Sequence, residues 1–276
     1  MPRPSHTVEP SFDFQGDRFD LSRPRDAAIV RFLLSQALFG EATGVYCGKS
    51  LYAARNLEAA RFYLRQAQQE LSHLEIFGRI FRILNLTPEG PHWVIRLLSS
   101  HNNDYRLKVL MEHAIGEGMV LDVFKEVMLQ TLPSDDVQGR QVQKMLRGVC
   151  AQEIEHVEWG EKEVRRLISE QPSLRWAYYG LIEIQLLLAP LVARRFVGQS
   201  ADHNVLRHLP RFVDFVIARV RAQSRGLGIT TDVVPSAPVR LAAMLYGAAL
   251  FVRSQFARSR STLDHTYITE LGFVAR

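Results

Sequence analysis

Two copies of one short motif constrain the fold of this chain more than any other feature. The motif reads Gln69-Glu70-Leu71-Ser72-His73 in its first copy and Gln152-Glu153-Ile154-Glu155-His156 in its second. Each copy places a carboxylate and an imidazole three residues apart, and on an α-helix that spacing brings both side chains to one face. Carboxylate oxygens and neutral imidazole nitrogens are ligands of iron and manganese. The motif therefore predicts two helices that each carry a pair of metal ligands.

A lone glutamate precedes the first motif inside an apolar helical stretch. The midpoint between this residue, Glu41, and Glu70 falls at Arg55-Asn56, where we predict the turn between two helices. In an antiparallel helix pair, residues equidistant from the turn lie at the same level, because the rise per residue is constant. Glu41 is therefore expected beside Glu70 and His73.

The second half of the site repeats this spacing. Glu117 also lies in an apolar stretch, and its midpoint with Glu153 falls at Asp135. The surrounding segment Pro133-Ser134-Asp135-Asp136 is typical of a helix end that is followed by the N-cap of the next helix. Glu117 is therefore expected beside Glu153 and His156, so the site is an internal repeat.

Both motifs lie on apolar stripes of their helices. The stripe of Glu70 and His73 also contains Tyr63, Gln66, Phe77 and Leu84, and that of Glu153 and His156 contains Leu146, Val149, Gly160 and Leu167. A carboxylate on a core-facing stripe is costly unless it is paired or bound to a metal. The alternative is a buried polar network in which the glutamates and histidines satisfy one another. We favour metal binding, since two metal ions neutralise four carboxylates directly.

A glutamate, a Glu-x-x-His, a glutamate and a second Glu-x-x-His on four successive helices resemble the ferritin-like di-iron carboxylate superfamily. The match covers roughly Ala27 to Leu167. The resemblance implies an all-α fold, a ferritin-like four-helix bundle with one long crossover, here with additional C-terminal helices. It also implies that Glu70 and Glu153 bridge two metals. The remaining ligands would be Glu41 and His73 for one metal and Glu117 and His156 for the other.

The finer resemblance is to an oxygen-activating branch. The segment from Glu153 to Glu161, with Trp159-Gly160-Glu161 after the histidine, is similar to the fourth helix of aldehyde-deformylating oxygenases. This implies a non-haem di-iron oxygenase or oxidase with two Fe ions, or a Mn/Fe pair, as cofactors. Its partners would be O2, an external electron donor and an organic small-molecule substrate, lipophilic or carrier-bound. A ferroxidase or iron-handling protein without an organic substrate and a tRNA-hydroxylase-like enzyme stay open as alternatives.

Three further residues are candidates for contacts around the ligands. His113 lies one helical turn before Glu117, Tyr63 shares the stripe of Glu70, and Cys150 lies one turn before Glu153. A small buried hydrophobe is the commoner role for such a cysteine. The other cysteine, Cys47, also falls inside a predicted helix, so no disulfide framework is indicated. Glycines near the ligands either leave room for O2 or substrate or allow close helix packing: Gly44, Gly48 and Gly118.

The chain divides into three predicted regions. Its 276 residues, 47% of them hydrophobic, suffice for one helical domain with an extension. We predict a polar N-terminal segment over 1–23, the ferritin-like core over 24–171 and an Arg-rich helical extension, packed on the core, over 172–276. Because residues 1–22 contain no apolar run, a signal peptide is not indicated and a cytoplasmic location is expected.

The extension begins with an almost wholly apolar stretch, Trp176 to Ala193. Glu183, Gln185 and Pro190 interrupt it and argue against a membrane span, so we expect a fifth helix packed along the bundle. Two more helices are predicted, over Val205 to Arg221 and Val239 to Arg258.

The positive charge of the chain is concentrated in this extension. From Pro172 onwards there are thirteen arginines, no lysine and six acidic residues, against a net charge of +5 for the whole chain. Three interpretations follow: a solvated face, a docking surface for an anionic acyl carrier or a membrane, or an RNA contact. Nucleic acid is disfavoured, because no recognisable nucleic-acid module is present. A homodimer is compatible with all three.

Overall fold

The computed structural model describes residues 7–45, 51, 54–93, 104–197, 202–231 and 235–256, and within these ranges it contains seven helices and no strand. The expected all-α fold is confirmed for these residues. The helices are α1 (Pro24–Gly44), α2 (Leu57–Ile83), α3 (105–131), α4 (Val137–Glu170), α5 (Leu174–Val197), α6 (Leu209–Gly226) and α7 (Ala237–Phe256).

The starts of three helices follow the local sequence. Pro24 occupies the first turn of α1, where its missing N–H group is not needed. The side chain of Asn56 accepts a hydrogen bond from the backbone N–H of Ala59 and caps α2. Asp136 caps α4 in the same way by accepting from Gly139 N–H. The predicted start at Pro24 and the predicted cap before α4 are therefore confirmed.

Helix α3 differs from the regular helix expected at this position. It contains two π-helical stretches, Val109–Gly116 and Val123–Met128, joined and flanked by α-helical turns. A β-carbon at Gly116 would lie 2.3 Å from the backbone oxygen of Met111, so this wide turn requires glycine. Such π-helical segments are frequent at functional sites, and this one directly precedes Glu117.

A polar layer separates two apolar cores. One core contains Phe77, Phe124 and Leu146, and the other contains Tyr63, Leu110 and Val164. Helix α1 packs on α2, α3 on α4, and α2 on α4. Along α2 and α4, the predicted ligands occupy the positions between the two cores, which places them at one level of the molecule.

The N-terminal segment contributes to packing more than its polar composition indicates. Phe12, Phe14 and Phe19 are buried in the core. One carboxylate oxygen of the buried Glu126 accepts hydrogen bonds from the backbone N–H groups of Ser11 and Phe12, at 2.7 and 2.8 Å. The described part of 1–23 is therefore anchored on α3 by one glutamate, and Phe12 packs against Phe212 of the C-terminal region, with ring centroids 5.4 Å apart.

The C-terminal helices form where the sequence predicts them, with shifted ends. α5 packs on α3 and α4, α6 packs on α3 and α5, and α7 packs on α5. A β-carbon at Gly180 would lie 1.9 Å from the backbone oxygen of Ala243, so α5 and α7 approach closely at this glycine. No helix among the described residues is long and apolar enough to cross a membrane. Cys47 and Gly48 lie outside the described residues, as do residues 94–103 of the connection 91–104, where the crossover is expected.

Candidate metal centre

The structure brings all six predicted ligands together. Glu41 comes from α1, Glu117 from α3, and each Glu-x-x-His pair from α2 or α4. All are buried except Glu117, whose side chain is 16% exposed. The potential ligand atoms form two groups, and the atoms of each group all lie within 4.8 Å of one another. The first group is Glu41, Glu70, His73 and Glu153, and the second is Glu70, Glu117, Glu153 and His156.

Each imidazole directs its Nδ1 atom at three carboxylates. Nδ1 of His73 lies 2.9 Å from Glu41 Oε2, 3.1 Å from Glu153 Oε1 and 3.6 Å from Glu70 Oε2. Nδ1 of His156 lies 3.1 Å from Glu117 Oε2, 3.3 Å from Glu153 Oε2 and 3.5 Å from Glu70 Oε1. Glu70 and Glu153 thus each turn one oxygen towards each imidazole, as a carboxylate shared by two cations would.

The outer nitrogen of each histidine is held by a glutamine from the opposite motif. Nε2 of His73 lies 2.7 Å from Gln152 Oε1, and Nε2 of His156 lies 2.8 Å from Gln69 Oε1. Because an amide oxygen can only accept, each Nε2 carries the proton and donates it. The Nδ1 lone pair then remains available to a metal. The sequence alone assigns no role to either glutamine, although a Gln before the Glu of both motifs is the signal that identifies them.

Two more side chains contact Glu117. Gln66 Nε2 donates to Glu117 Oε1 at 2.6 Å, and Nδ1 of His113 lies 3.2 Å from the same oxygen. The candidate His113 is therefore a neighbour of a ligand, whereas Gln66 is a contact that stripe membership alone does not reveal. Tyr63 packs against His113, with ring centroids 5.6 Å apart. Cys150 is buried in an apolar core, where burial raises the pKa of its thiol to about 12.

The pKa values of the cluster indicate that added positive charge stabilises it. Burial raises the pKa of Glu117 to about 8, and burial together with Glu153 and Glu70 raises the pKa of Glu41 well above its usual value. Burial alone would lower the pKa values of His73 and His156, but the surrounding carboxylates outweigh it and raise both. Without a metal, protons therefore occupy the places that cations would take.

Glu153 behaves differently from the other carboxylates. Burial raises its pKa, but the two nearby imidazoles outweigh burial and lower the pKa to about 2. Glu153 is thus ionised over the whole physiological range. A permanently charged carboxylate between two imidazoles is suited to hold two cations at once.

The structure gives Gly44 and Gly118 different surroundings. A β-carbon at Gly44 would lie 2.6 Å from the carboxyl carbon of Glu70, so this glycine leaves room for a ligand carboxylate. A β-carbon at Gly118 would instead face Arg219 and Gln223 of α6, at 3.4 and 3.7 Å. Gly118 therefore serves close helix packing.

A cavity of about 360 Å³ adjoins the cluster. Four of the predicted ligands, Glu41, Glu70, Glu117 and Glu153, form part of its wall. The rest of the wall is mainly apolar and comes from α1, α3, α5 and α6, including Phe32, Met111, Phe124, Leu186, Phe212 and Val216. The C-terminal helices therefore close a space that begins at the carboxylates.

Comparisons of the chain with family models, curated proteins and solved structures find no match. The assignment of the site therefore depends on its geometry. That geometry is two groups of carboxylate and imidazole atoms that share two glutamates and adjoin an apolar cavity. Such a donor set could hold metal ions.

Proposed function

We propose that this protein is a di-metal oxidoreductase of the ferritin-like di-iron carboxylate class, with a four-helix bundle formed by α1 to α4. It uses O2 to oxidise or oxygenate an apolar organic substrate. The observation that carries this proposal is the position of the cavity: four carboxylates of the paired site form part of the wall of a mainly apolar space of about 360 Å³. That volume lies in the usual range for small-molecule sites.

The donor set fits two divalent cations. Four carboxylates and two imidazoles, each with Nδ1 facing the cluster, balance the charge of two divalent ions while the histidines stay neutral. Glu41 and His73 would hold one ion, Glu117 and His156 the other, and Glu70 and Glu153 both. Oxygen-rich ligands with one imidazole per ion favour an iron pair, with Mn/Fe as the alternative. The bound metals supply the electrons for O2 reduction, which an external donor would restore.

Side chains around the ligands orient the imidazoles and exclude water. Gln69 and Gln152 fix the orientation of the two imidazoles, because each accepts the Nε2 proton. The apolar wall excludes water and positions an apolar substrate beside the carboxylates. An apolar substrate thus meets the site in a dry space.

The cavity also bears on the alternatives. An iron store moves hydrated ions to and from its site and needs a polar route, whereas the wall that adjoins this cluster is mainly apolar. The oxygenase interpretation is therefore preferred to iron storage. No contact among the described residues favours an RNA substrate.

Anaerobic loading with ferrous iron followed by exposure to O2 tests the proposal. We expect saturation at about two ions per chain, because the ligands form two groups that can each hold one ion. After oxidation, iron uptake should stop. Turnover should then require a reductant and an apolar substrate, which can be searched with linear aliphatic aldehydes and alcohols of increasing length. Saturation at one ion or none contradicts the paired site, and retention of many tens of ions indicates a store.

A cavity variant tests the substrate site separately from the metals. Val216 forms part of the cavity wall, and Val216→Phe places a larger side chain there that fills part of the cavity. We therefore expect normal iron binding but loss of turnover with the longer substrates. Val239→Phe is the matched control, because Val239 lies on α7 and is 41% exposed. Equal turnover of both variants would place the substrate elsewhere.

A further inference from the structure

Helix α6 donates hydrogen bonds to the backbone of α3. Arg219 Nη2 donates to the carbonyl oxygen of Gly118, and Gln223 Nε2 donates to that of Ala114, both at 2.8 Å. Each donor also contacts a carboxylate: Arg219 binds Asp122, and Gln223 binds Glu161 at 2.9 Å. Helical carbonyls normally accept from their own helix, so these two contacts need an explanation.

The π-helical geometry of α3 supplies the explanation. The N–H of Glu117 donates five residues back, to Glu112, whereas the N–H of Val123 donates four residues back, to Met119. Between these two bonds there are six carbonyls, at positions 113–118, but only five amides, at 118–122. One carbonyl in this stretch therefore lacks an amide donor, and a buried carbonyl without a donor is costly.

The α6 donors occupy the positions that meet this need. The carbonyls of Ala114 and Gly118 are two of these six, and they lie on either side of Glu117. Arg219 and Gln223 are four residues apart on α6, and their carbonyl partners are four residues apart on α3, so one helix face matches the other.

We propose that Arg219 and Gln223 are positioning residues that hold the π-helical register of α3 and thereby place the Glu117 carboxylate beside His156. Glu117 Oε2 lies 3.1 Å from His156 Nδ1, and a return of α3 to regular α-helix would rotate Glu117 away from it. The C-terminal extension thus sets the geometry of one half of the metal centre. This inference rests on the proposed di-metal function.

The test measures Co2+ affinity in chains that retain one ion. His73→Ala leaves the Glu117–His156 half, and His156→Ala leaves the Glu41–His73 half. Arg219→Lys is introduced into each, because lysine keeps a charge beside Asp122 but lacks the fork that also reaches Gly118. We expect Co2+ affinity to fall by about 10-fold or more in the His73→Ala background and by less than about 2-fold in the other. Gln223→Leu should show the same selectivity.

Arg240→Lys is the matched control. Arg240 pairs with Glu183 across α5 and α7 at 2.7 Å, away from the π-helix, so its replacement should leave both Co2+ affinities unchanged. Equal losses in both backgrounds, or no loss in either, would overturn the positioning role. Should Arg219→Lys fail to fold, Gln223→Leu decides alone by the same criterion. Absence of Co2+ binding in the unmodified chain would instead refute the proposed function.

Discussion

The two halves of the metal centre have the same ligands in different surroundings. In both, an imidazole Nδ1 faces three carboxylates, and its Nε2 donates to the glutamine of the opposite motif. The lone glutamates differ. Glu41 lies on a regular α-helix with 3% of its side chain exposed, whereas Glu117 follows a π-helical stretch, is 16% exposed and contacts Gln66 and His113.

Because the surroundings of Glu41 and Glu117 differ, the repeated ligand pattern does not make the two sites equivalent. The repeat supplies the donor atoms, but the helix geometry and neighbouring donors around each lone glutamate determine how firmly that carboxylate is held. We expect two ions with unequal affinities, and the half with Glu117 to be the one that changes when its neighbours are altered.

The largest effect is expected from the shared carboxylates. Glu70→Ala or Glu153→Ala removes a ligand of both ions, so each should lower the affinity for both by more than about 100-fold. Glu41→Ala should weaken chiefly the ion at His73. Iron-to-chain ratios after anaerobic loading and desalting measure this difference.

Glu155→Ala is the control for that series, because Glu155 lies in the second motif but is exposed. It should retain both ions. Equal retention by Glu41→Ala, Glu70→Ala and Glu153→Ala would show that the carboxylates are not shared.

The two glutamines should produce crossed effects. Gln69→Leu removes the acceptor for His156, although Gln69 lies beside Glu70, so we expect it to weaken the ion at His156 by about 10- to 100-fold. Gln152→Leu should weaken the ion at His73 by a similar factor. Co2+ titration of each variant in the His73→Ala and His156→Ala backgrounds assigns the loss. If each variant lowered the Co2+ affinity only at the histidine of its own motif, the result would contradict the crossed contacts.

A smaller effect is expected at Gly44. Gly44→Ala places a methyl group 2.6 Å from the present position of the Glu70 carboxyl carbon, and the flexible glutamate must move to avoid it. We expect the chain to fold and the affinity for both ions to fall by about 10-fold. Gly40→Ala is the control, because a β-carbon there meets no atom within 4 Å. Unchanged affinity in Gly44→Ala would show that Glu70 can bind from another position.

Much of the fold and the identity of the six ligands can be predicted from the sequence. Residue spacing in a helix is fixed, so the repeat of Glu41–Glu70 and Glu117–Glu153 predicts which side chains meet. The π-helical stretches of α3 are not predictable in this way, because i→i+5 bonding leaves no regular apolar period. Nor is the contact of Arg219 with Gly118, since it joins two helices that are about a hundred residues apart in sequence.

The burial of the N-terminal phenylalanines cannot be predicted from the sequence, for a related reason. Phe12, Phe14 and Phe19 are single aromatic residues in a polar segment and form no period. Long-range contacts show where this segment packs, such as those of Glu126 with the backbone of Ser11 and Phe12. Local patterns therefore predict the helices and ligands, and long-range contacts determine the details.

The smallest expected effect is the pH dependence of metal binding. In the metal-free chain, burial raises the pKa of Glu117 to about 8, so this carboxyl group is protonated at neutral pH. A metal must displace that proton and also the proton of His156, whose pKa the surrounding carboxylates raise above its usual value. Affinity should therefore rise with pH, and more steeply below about pH 8, where Glu117 is still protonated, than above it. The rise cannot exceed about tenfold per pH unit for each proton released. Glu153 contributes nothing to this dependence, because its pKa of about 2 keeps it ionised.

Calorimetric titration of Co2+ in buffers of different ionisation enthalpy counts the protons released. In the His73→Ala background, which isolates Glu117 and His156, we expect both groups to release protons at about pH 7 and fewer protons to be released at about pH 9, where Glu117 is already ionised. Glu117→Gln removes the titrating carboxylate, so it should reduce the proton release as well as the affinity. Constant affinity between about pH 6 and pH 8 without proton release would show that Glu117 is ionised before the metal arrives. The two halves of the site would then differ in geometry alone and not in their protons.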